Sequence, residues 1–146
     1  MIGKVIELFI TKNDSQKTRL SVASIAVDEN GIKGDKFYAK DSMRTILLSS
    51  QDSYKLSLEN AINLKTGALG ENILIDINPY SLVHGDRIKI GDTELEITQN
   101  CTLCKGLSTL NSKLPKLLKN DRGIFAKVIK GSSEIHLDDK VEILSY

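Results

Sequence analysis

The sequence predicts a mostly β fold, a β-barrel or closed sheet with a few peripheral helices. Short apolar or alternating segments recur along the chain, and turns rich in glycine, aspartate and asparagine separate them. Only residues 51–63 and 107–120 have an apolar spacing that favours a helix. Many short strands with few helices are typical of barrels and closed sheets.

The first half of the chain contains three predicted strands and one helix. Residues 5–10 and 20–27 are rich in β-branched and small apolar residues, and polar turns follow both. Residues 44–48 form a short strand that begins with an arginine. Ser49 or Ser50 is suited to cap the helix that follows.

The second half contains a clear hairpin. Residues 87–98 alternate between apolar and polar, and Gly91-Asp92 supplies the turn. Because Pro115 cannot continue a helix in its interior, residues 107–120 are predicted as a helix in two pieces. Further strands are predicted at 124–129, 134–137 and 140–144.

Two segments between strands carry residues suited to hold a ligand. Lys33 lies between two glycines in the loop 31–36, where backbone N–H groups and a cation could approach an anion. A simple hairpin loop explains the same spacing. Glu71 and Asn72 precede an apolar strand at 73–75, as ligand-holding residues or as turn residues that satisfy nearby backbone groups.

Composition excludes several classes of function. The 20 basic and 19 acidic residues of the 146-residue chain give a net charge of +1, which predicts no nucleic-acid partner. The apolar segments are far shorter than the roughly 20 residues that span a bilayer, and the first residues do not have the pattern of a signal peptide. Two cysteines without such a signal favour a reducing compartment. We therefore expect one cytoplasmic domain over residues 1–146 with no membrane partner.

Both cysteines follow the second strand of the hairpin, in a loop that begins at Cys101 and continues past Cys104. Functional residues concentrate where a strand gives way to a loop, so Cys104 is predicted as the working thiolate. Four other interpretations stay open: a C-x-x-C redox pair, a zinc site, two small buried hydrophobes, or a cofactor-binding module without chemistry. A zinc site needs two more ligands, for which only His84 and His136 are present.

The order of several motifs resembles the MOSC domain, which is named after the C-terminal part of molybdenum cofactor sulfurases. The motifs are GIKGD, RTILL, GALGENILI, GDRIKIG and LEITQ, followed by Cys104 and GIFAKVI at 123–129. They span nearly the whole chain. The resemblance implies a β-barrel-like fold and binding of molybdenum cofactor (molybdopterin) or a related sulfur-bearing species. Leu103 stands where many relatives have proline, and Cys101 is extra to the commonest pattern.

The resemblance also implies roles for individual residues. Cys104 is similar to the thiolate that takes up sulfur or ligates molybdenum, with Cys101 as a weaker candidate ligand. A carrier would receive sulfur as a persulfide from a cysteine desulfurase, a pyridoxal phosphate enzyme, or would serve a molybdoenzyme partner. The alternative is a component of a molybdenum-cofactor-dependent reductase for N-hydroxylated compounds. The cofactor-binding candidates are Lys33, Arg44, Glu71, Asn72, Thr98 and Gln99.

Overall fold

A computed structural model describes residues 1–101, 105–131 and 134–144; the side-chain surroundings of residues 105 and 106 lie outside that description. The strands are β1 (Ile2–Thr11), β2 (Arg19–Val22), β3 (Ser24–Asp28), β4 (Gly31–Ile32), β5 (Ile46–Ser50), β6 (Ile73–Ile75), β7 (Arg87–Ile90), β8 (Thr93–Asn100), β9 (Ile124–Gly131), β10 (Glu134–His136) and β11 (Lys140–Leu144). The helices are α1 (Gln51–Glu59), α2 (Lys105–Leu110) and α3 (Leu114–Leu117).

Seven strands close into a barrel. They pair in the order β1–β11–β7–β8–β9–β5–β6, and β6 returns to β1. The strand β2 pairs antiparallel with β1 at the end of this sheet. The strands β10, β3 and β4 form a small second sheet. The predicted mostly β fold with a closed sheet and few helices is confirmed. None of the helices in the described ranges has the length and apolar character needed to cross a bilayer.

Two of the predicted elements differ in detail from the structure. The strand predicted at 20–27 is two strands, because β2 pairs with β1 whereas β3 pairs with β10. The helix predicted at 51–63 ends at Glu59, since Asn60 leaves helical geometry and Ala61 adopts a left-handed φ of 61°. The hairpin with its Gly91-Asp92 turn and the two-piece helix before β9 are both present.

Alternation along the strands separates the barrel interior from its outer face. On β5, Ile46 and Leu48 belong to the buried core, as does Ile124 on β9. Leu47 and Phe125 are register partners between these core positions and therefore face outward. The outer face of the β5–β9 pair thus offers two apolar side chains to whatever packs against it.

The segment between β8 and β9 begins and ends at neighbouring positions in the sheet. Asn100 pairs with Ile124, and the N–H of Cys101 donates to the carbonyl of Gly123 at 3.0 Å. Residues 101 and 123 are therefore neighbours, although the helices α2 and α3 lie between them in sequence. Those helices bury leucines in a second cluster beside α1, made of Ile62, Leu69, Leu107, Leu114 and Leu118.

Candidate functional site

A cavity of about 440 Å³ lies against the outer face of the β5–β9 pair. Its wall includes residues from the loop before β5, the residues before β6, the end of β8 and the start of β9. The lining residues are Phe37, Lys40, Asp41, Arg44, Leu47, Gly70, Asn72, Cys101, Arg122 and Phe125. The cavity therefore brings together three predicted site residues, Arg44, Asn72 and Cys101, from three separate parts of the chain.

Arg122 is a buried residue of the cavity lining. Its guanidinium donates one hydrogen bond to Sγ of Cys101 and another to the carbonyl of Leu69, at 3.2 Å. Both Arg122 and Cys101 are more than nine-tenths buried. Among the described residues, Nε of Arg122 has no hydrogen-bond partner. Arg122 is therefore a buried cation whose hydrogen-bonding capacity the described residues do not use in full.

The turn at residues 121–123, which contains Arg122, is held against β5 and α1 by a hydrogen bond and by close packing. The Ser53 hydroxyl donates to the carbonyl of Asp121 and lies 2.6 Å from the Tyr80 hydroxyl. A Cβ at Gly123 would come 2.9 Å from Cδ1 of Leu47 and 3.2 Å from the Leu48 carbonyl oxygen. A larger residue at position 123 would require Leu47 or the β5 backbone to shift.

The outer side of the cavity comes from the loop before β5. Arg44 is exposed, and its guanidinium carbon lies 5.8 Å from the centre of the Phe125 ring, a cation–π distance. Thr98 does not line the cavity but supports this loop, because its hydroxyl donates to the carbonyl of Met43 at 2.6 Å. Its own carbonyl accepts a 2.9 Å hydrogen bond from Nδ1 of His84.

Asn72 joins the cavity wall to the barrel. Its side-chain oxygen accepts from the N–H of Leu47 at 3.0 Å, and its amide nitrogen donates to the carbonyl of Phe9 at 3.2 Å. Its backbone adds hydrogen bonds to the same two residues. These bonds show that Asn72 satisfies backbone groups of two strands, which is the turn chemistry that the sequence left as one alternative.

Glu71 is fully buried in a polar cluster formed by Glu71, Ser49, Tyr54 and Arg19. Its Oε2 accepts from the hydroxyls of Ser49, at 2.7 Å, and Tyr54. Its Oε1 lies 3.9 Å from the Arg19 guanidinium. Burial, reinforced by the Glu71 charge, raises the pKa of Tyr54 far above its usual value. Burial lowers the pKa of Arg19, although the Glu71 charge opposes this.

The remaining predicted site residues have different positions. Lys33 is exposed beside Asp28, outside the cavity lining. Gln99 is half-buried on β8, opposite Phe125 across a bulge. Cys104 lies outside the described residues, so its predicted role stays a prediction. Within the described ranges, no group of three His, Cys, Asp or Glu side chains is arranged to hold a metal ion.

Sequence reasoning missed several lining residues. The candidate site residues predicted from the sequence do not include Arg122, Lys40, Phe37 or Phe125. Arg122 lies directly before Gly123, and a register match between β8 and β9 across the intervening helices was the signal that could have found it.

The fold and site define a β-barrel protein with a cationic, thiol-bearing cavity on its outer wall. A family model described as the MOSC domain matches residues 34–142, and the chain therefore belongs to the MOSC domain family. This family is generally associated with molybdenum-cofactor-related binding and sulfur functions. No protein with a curated description matches the chain.

Solved structures share the fold. The YuaD protein from Bacillus subtilis is 20% identical, with a TM-score of 0.86 over 100% of this chain and 97% of that one. YiiM from Escherichia coli is 19% identical, with a TM-score of 0.73 over 100% of this chain and 71% of its own. YiiM from Geobacillus stearothermophilus is 15% identical, with a TM-score of 0.72 over 98% of this chain and 75% of its own.

Proposed function

We propose that the cavity binds the molybdenum cofactor or a sulfur-bearing species related to it, and that a thiol of the segment 101–104 holds the sulfur or ligates the metal. The observation that carries this proposal is the meeting of a cysteine thiol with Lys40, Arg44 and Arg122 in one cavity. Among the described lining residues, Asp41 supplies the one carboxylate. The general association of the MOSC family with molybdenum-cofactor-related functions agrees with this proposal.

The residues present fit the cofactor. A volume of about 440 Å³ lies in the range of small-molecule sites. Arg44 and Arg122 would hold the phosphate, since a forked guanidinium matches phosphate oxygens. Phe37 and Phe125 in the lining would contact a planar ring system. A cysteine thiolate is a soft ligand.

The chain's own residues would bind and orient rather than supply redox chemistry. When bound, the molybdenum centre would supply two-electron redox chemistry. The thiolate is the form of cysteine that attacks sulfur or binds metal, and neighbouring positive charge favours it. A persulfide carrier would receive its sulfur from a cysteine desulfurase, a pyridoxal phosphate enzyme of the reducing cytoplasm, and would deliver it to a molybdoenzyme partner.

Two measurements on one purified sample test the proposal. The protein is isolated from cells that make molybdenum cofactor and analysed for molybdenum and pterin. A second portion is incubated with a cysteine desulfurase and cysteine and weighed by intact mass spectrometry. We expect bound molybdenum and pterin, or a gain of one sulfur that is lost in the double variant Cys101→Ser/Cys104→Ser. A wild-type protein that shows neither would overturn the proposal.

The matched control for cofactor retention is a pair of arginine variants. Arg44→Gln removes a cation from the cavity, whereas Arg87→Gln removes one from a surface ion pair with Glu94. Retention of molybdenum and pterin should fall only in Arg44→Gln. An equal fall in both variants would mean that the cofactor is held elsewhere.

A further inference from the structure

Among the described residues, the cysteine that lines the cavity is Cys101, whereas Cys104, to which the family motif points, lies outside the described residues. Its side chain is only 8% exposed, and it lines the cavity together with Arg122. A structural cysteine is normally surrounded by apolar side chains and is inert. Cys101 instead accepts a hydrogen bond from a guanidinium.

Arg122 has the features of a partner for an anionic sulfur. It is 9% exposed, its Nη2 is fixed on the carbonyl of Leu69, and its Nη1 points at Cys101. Within the described ranges, no carboxylate forms an ion pair with it, and its Nε has no hydrogen-bond partner. A buried cation without a protein counter-charge is costly unless an anion accompanies it. The thiolate of Cys101 and an anion in the cavity would each supply a counter-charge for Arg122.

We propose that Cys101 accepts sulfane sulfur from an anionic persulfide or polysulfide that enters the cavity, and that Arg122 stabilises both the thiolate and the resulting persulfide. This inference rests on the proposed function and names the thiol and the class of sulfur donor. Lys40 and Arg44 at the same cavity would attract an anionic donor. The cavity volume admits a small molecule directly.

The transfer step balances without an added oxidant. The Cys101 thiolate attacks the protonated outer sulfur of a donor R–S–SH, in which the R group carries the negative charge, and a new S–S bond forms. The S–S bond within the donor breaks, and R–S⁻ leaves with the electron pair. The product is Cys101–S–SH, in which the transferred sulfur keeps its oxidation state and its proton.

The test uses the fact that the chain has two cysteines. Cys104→Ser leaves Cys101 as the only thiol, and Cys101→Ser is the matched control. Both variants are treated with sodium tetrasulfide and weighed by intact mass spectrometry. We expect a gain of one sulfur in Cys104→Ser and at least a severalfold smaller gain in Cys101→Ser. A gain confined to Cys101→Ser would overturn this inference while leaving the proposed function standing.

A parallel arm supplies a cysteine desulfurase with cysteine in place of tetrasulfide. Loading of Cys101 by tetrasulfide alone identifies a small-molecule donor, and loading by both identifies a donor class that includes a protein persulfide. Either result supports Cys101 as the acceptor. If wild type gains sulfur in neither arm and holds no cofactor, the inference and the proposed function both fail.

The role of Arg122 is tested by the alkylation rate of Cys101 in the Cys104→Ser background. Arg122→Gln should slow the reaction with iodoacetate at neutral pH by about tenfold, because less thiolate is present and the anionic reagent loses its partner. Arg122→Lys keeps the charge and should recover part of the rate. The iodoacetamide rate reports the thiolate fraction, and the ratio of iodoacetate to iodoacetamide rates reports the attraction of the anionic reagent. Unchanged rates with both reagents in Arg122→Gln, with circular dichroism showing an intact fold, would overturn the role of Arg122.

Discussion

Two arginines that are largely shielded from solvent, the half-buried Arg19 and the buried Arg122, have different surroundings in this protein. Arg19 donates to the carbonyls of Gly67 and Glu71 and to the Thr11 hydroxyl, and it lies over the ring of Phe9. A fully buried carboxylate, that of Glu71, lies 3.9 Å away. To other described residues, Arg122 makes two hydrogen bonds, one to a carbonyl and one to a thiol, and it lines the cavity.

The difference lies in where each charge finds its counterpart. The charge of Arg19 is balanced inside the fold, so its neighbourhood is a structural network. Within the described residues, Arg122 has no carboxylate partner, and its charge is available to the cavity. The two arginines are therefore distinguished by the presence or absence of a counter-charge among the described residues of the protein.

The comparison predicts its largest effect for Glu71→Gln. This change keeps the size of the side chain but leaves Arg19 without a buried anion. We expect the free energy of unfolding to fall by about 2 kcal/mol, below the loss typical of a fully buried pair because the Arg19 side chain is 29% exposed. Urea denaturation followed by circular dichroism measures it.

Two controls accompany Glu71→Gln. Glu94→Gln breaks a surface ion pair with Arg87 and should cost less than about 1 kcal/mol. Arg122→Gln leaves no buried protein carboxylate unpaired and should cost about 1 kcal/mol, mainly for the carbonyl of Leu69. A loss for Arg122→Gln as large as that for Glu71→Gln would show that Arg122 is a structural residue like Arg19.

The Glu71 cluster also predicts a loss of stability at alkaline pH. The pKa of Tyr54 is raised above 10.0 by burial and by Glu71, whereas an unfolded tyrosine ionises near that value. The resulting stabilisation is fully present below pH 10 and is lost as pH rises above it, with a slope of at most about 1.4 kcal/mol per pH unit. Tyr54→Phe should reduce this slope, measured by urea denaturation from about pH 8 to about pH 11. A slope unchanged from wild type would mean that Tyr54 does not carry this effect.

The predictability of the fold and of the site differs for physical reasons. The hairpin at β7–β8 was predictable because alternation and a Gly-Asp turn are local signals. The break between β2 and β3 was not, since both halves have strand-forming residues and only their partners in different sheets divide them.

The site was predictable only in part. Arg44 and Asn72 could be selected by the family motif and Cys101 by residue type alone, and all three line one cavity. The partnership of Cys101 with Arg122 depends on the register between Asn100 and Ile124, which residues distant in sequence establish. Glu71 and Asn72 are consecutive in the chain. Asn72 nevertheless lines the cavity, whereas Glu71 is buried in the polar cluster with Arg19.

The smallest predicted effect distinguishes Lys40 from Lys33, since the sequence alone does not show which lysine lies at the cavity. Lys40 lines the cavity, whereas Lys33 is exposed near Asp28. In the Cys104→Ser background, Lys40→Gln should slow iodoacetate alkylation of Cys101 on the order of twofold, as expected for one partly screened charge. Lys33→Gln should leave the rate unchanged, and neither variant should alter the reaction with uncharged iodoacetamide. At about 1 M salt the Lys40 effect should disappear. An equal effect of Lys33→Gln would place Lys33 among the cations that act on the cavity, as the sequence prediction has it.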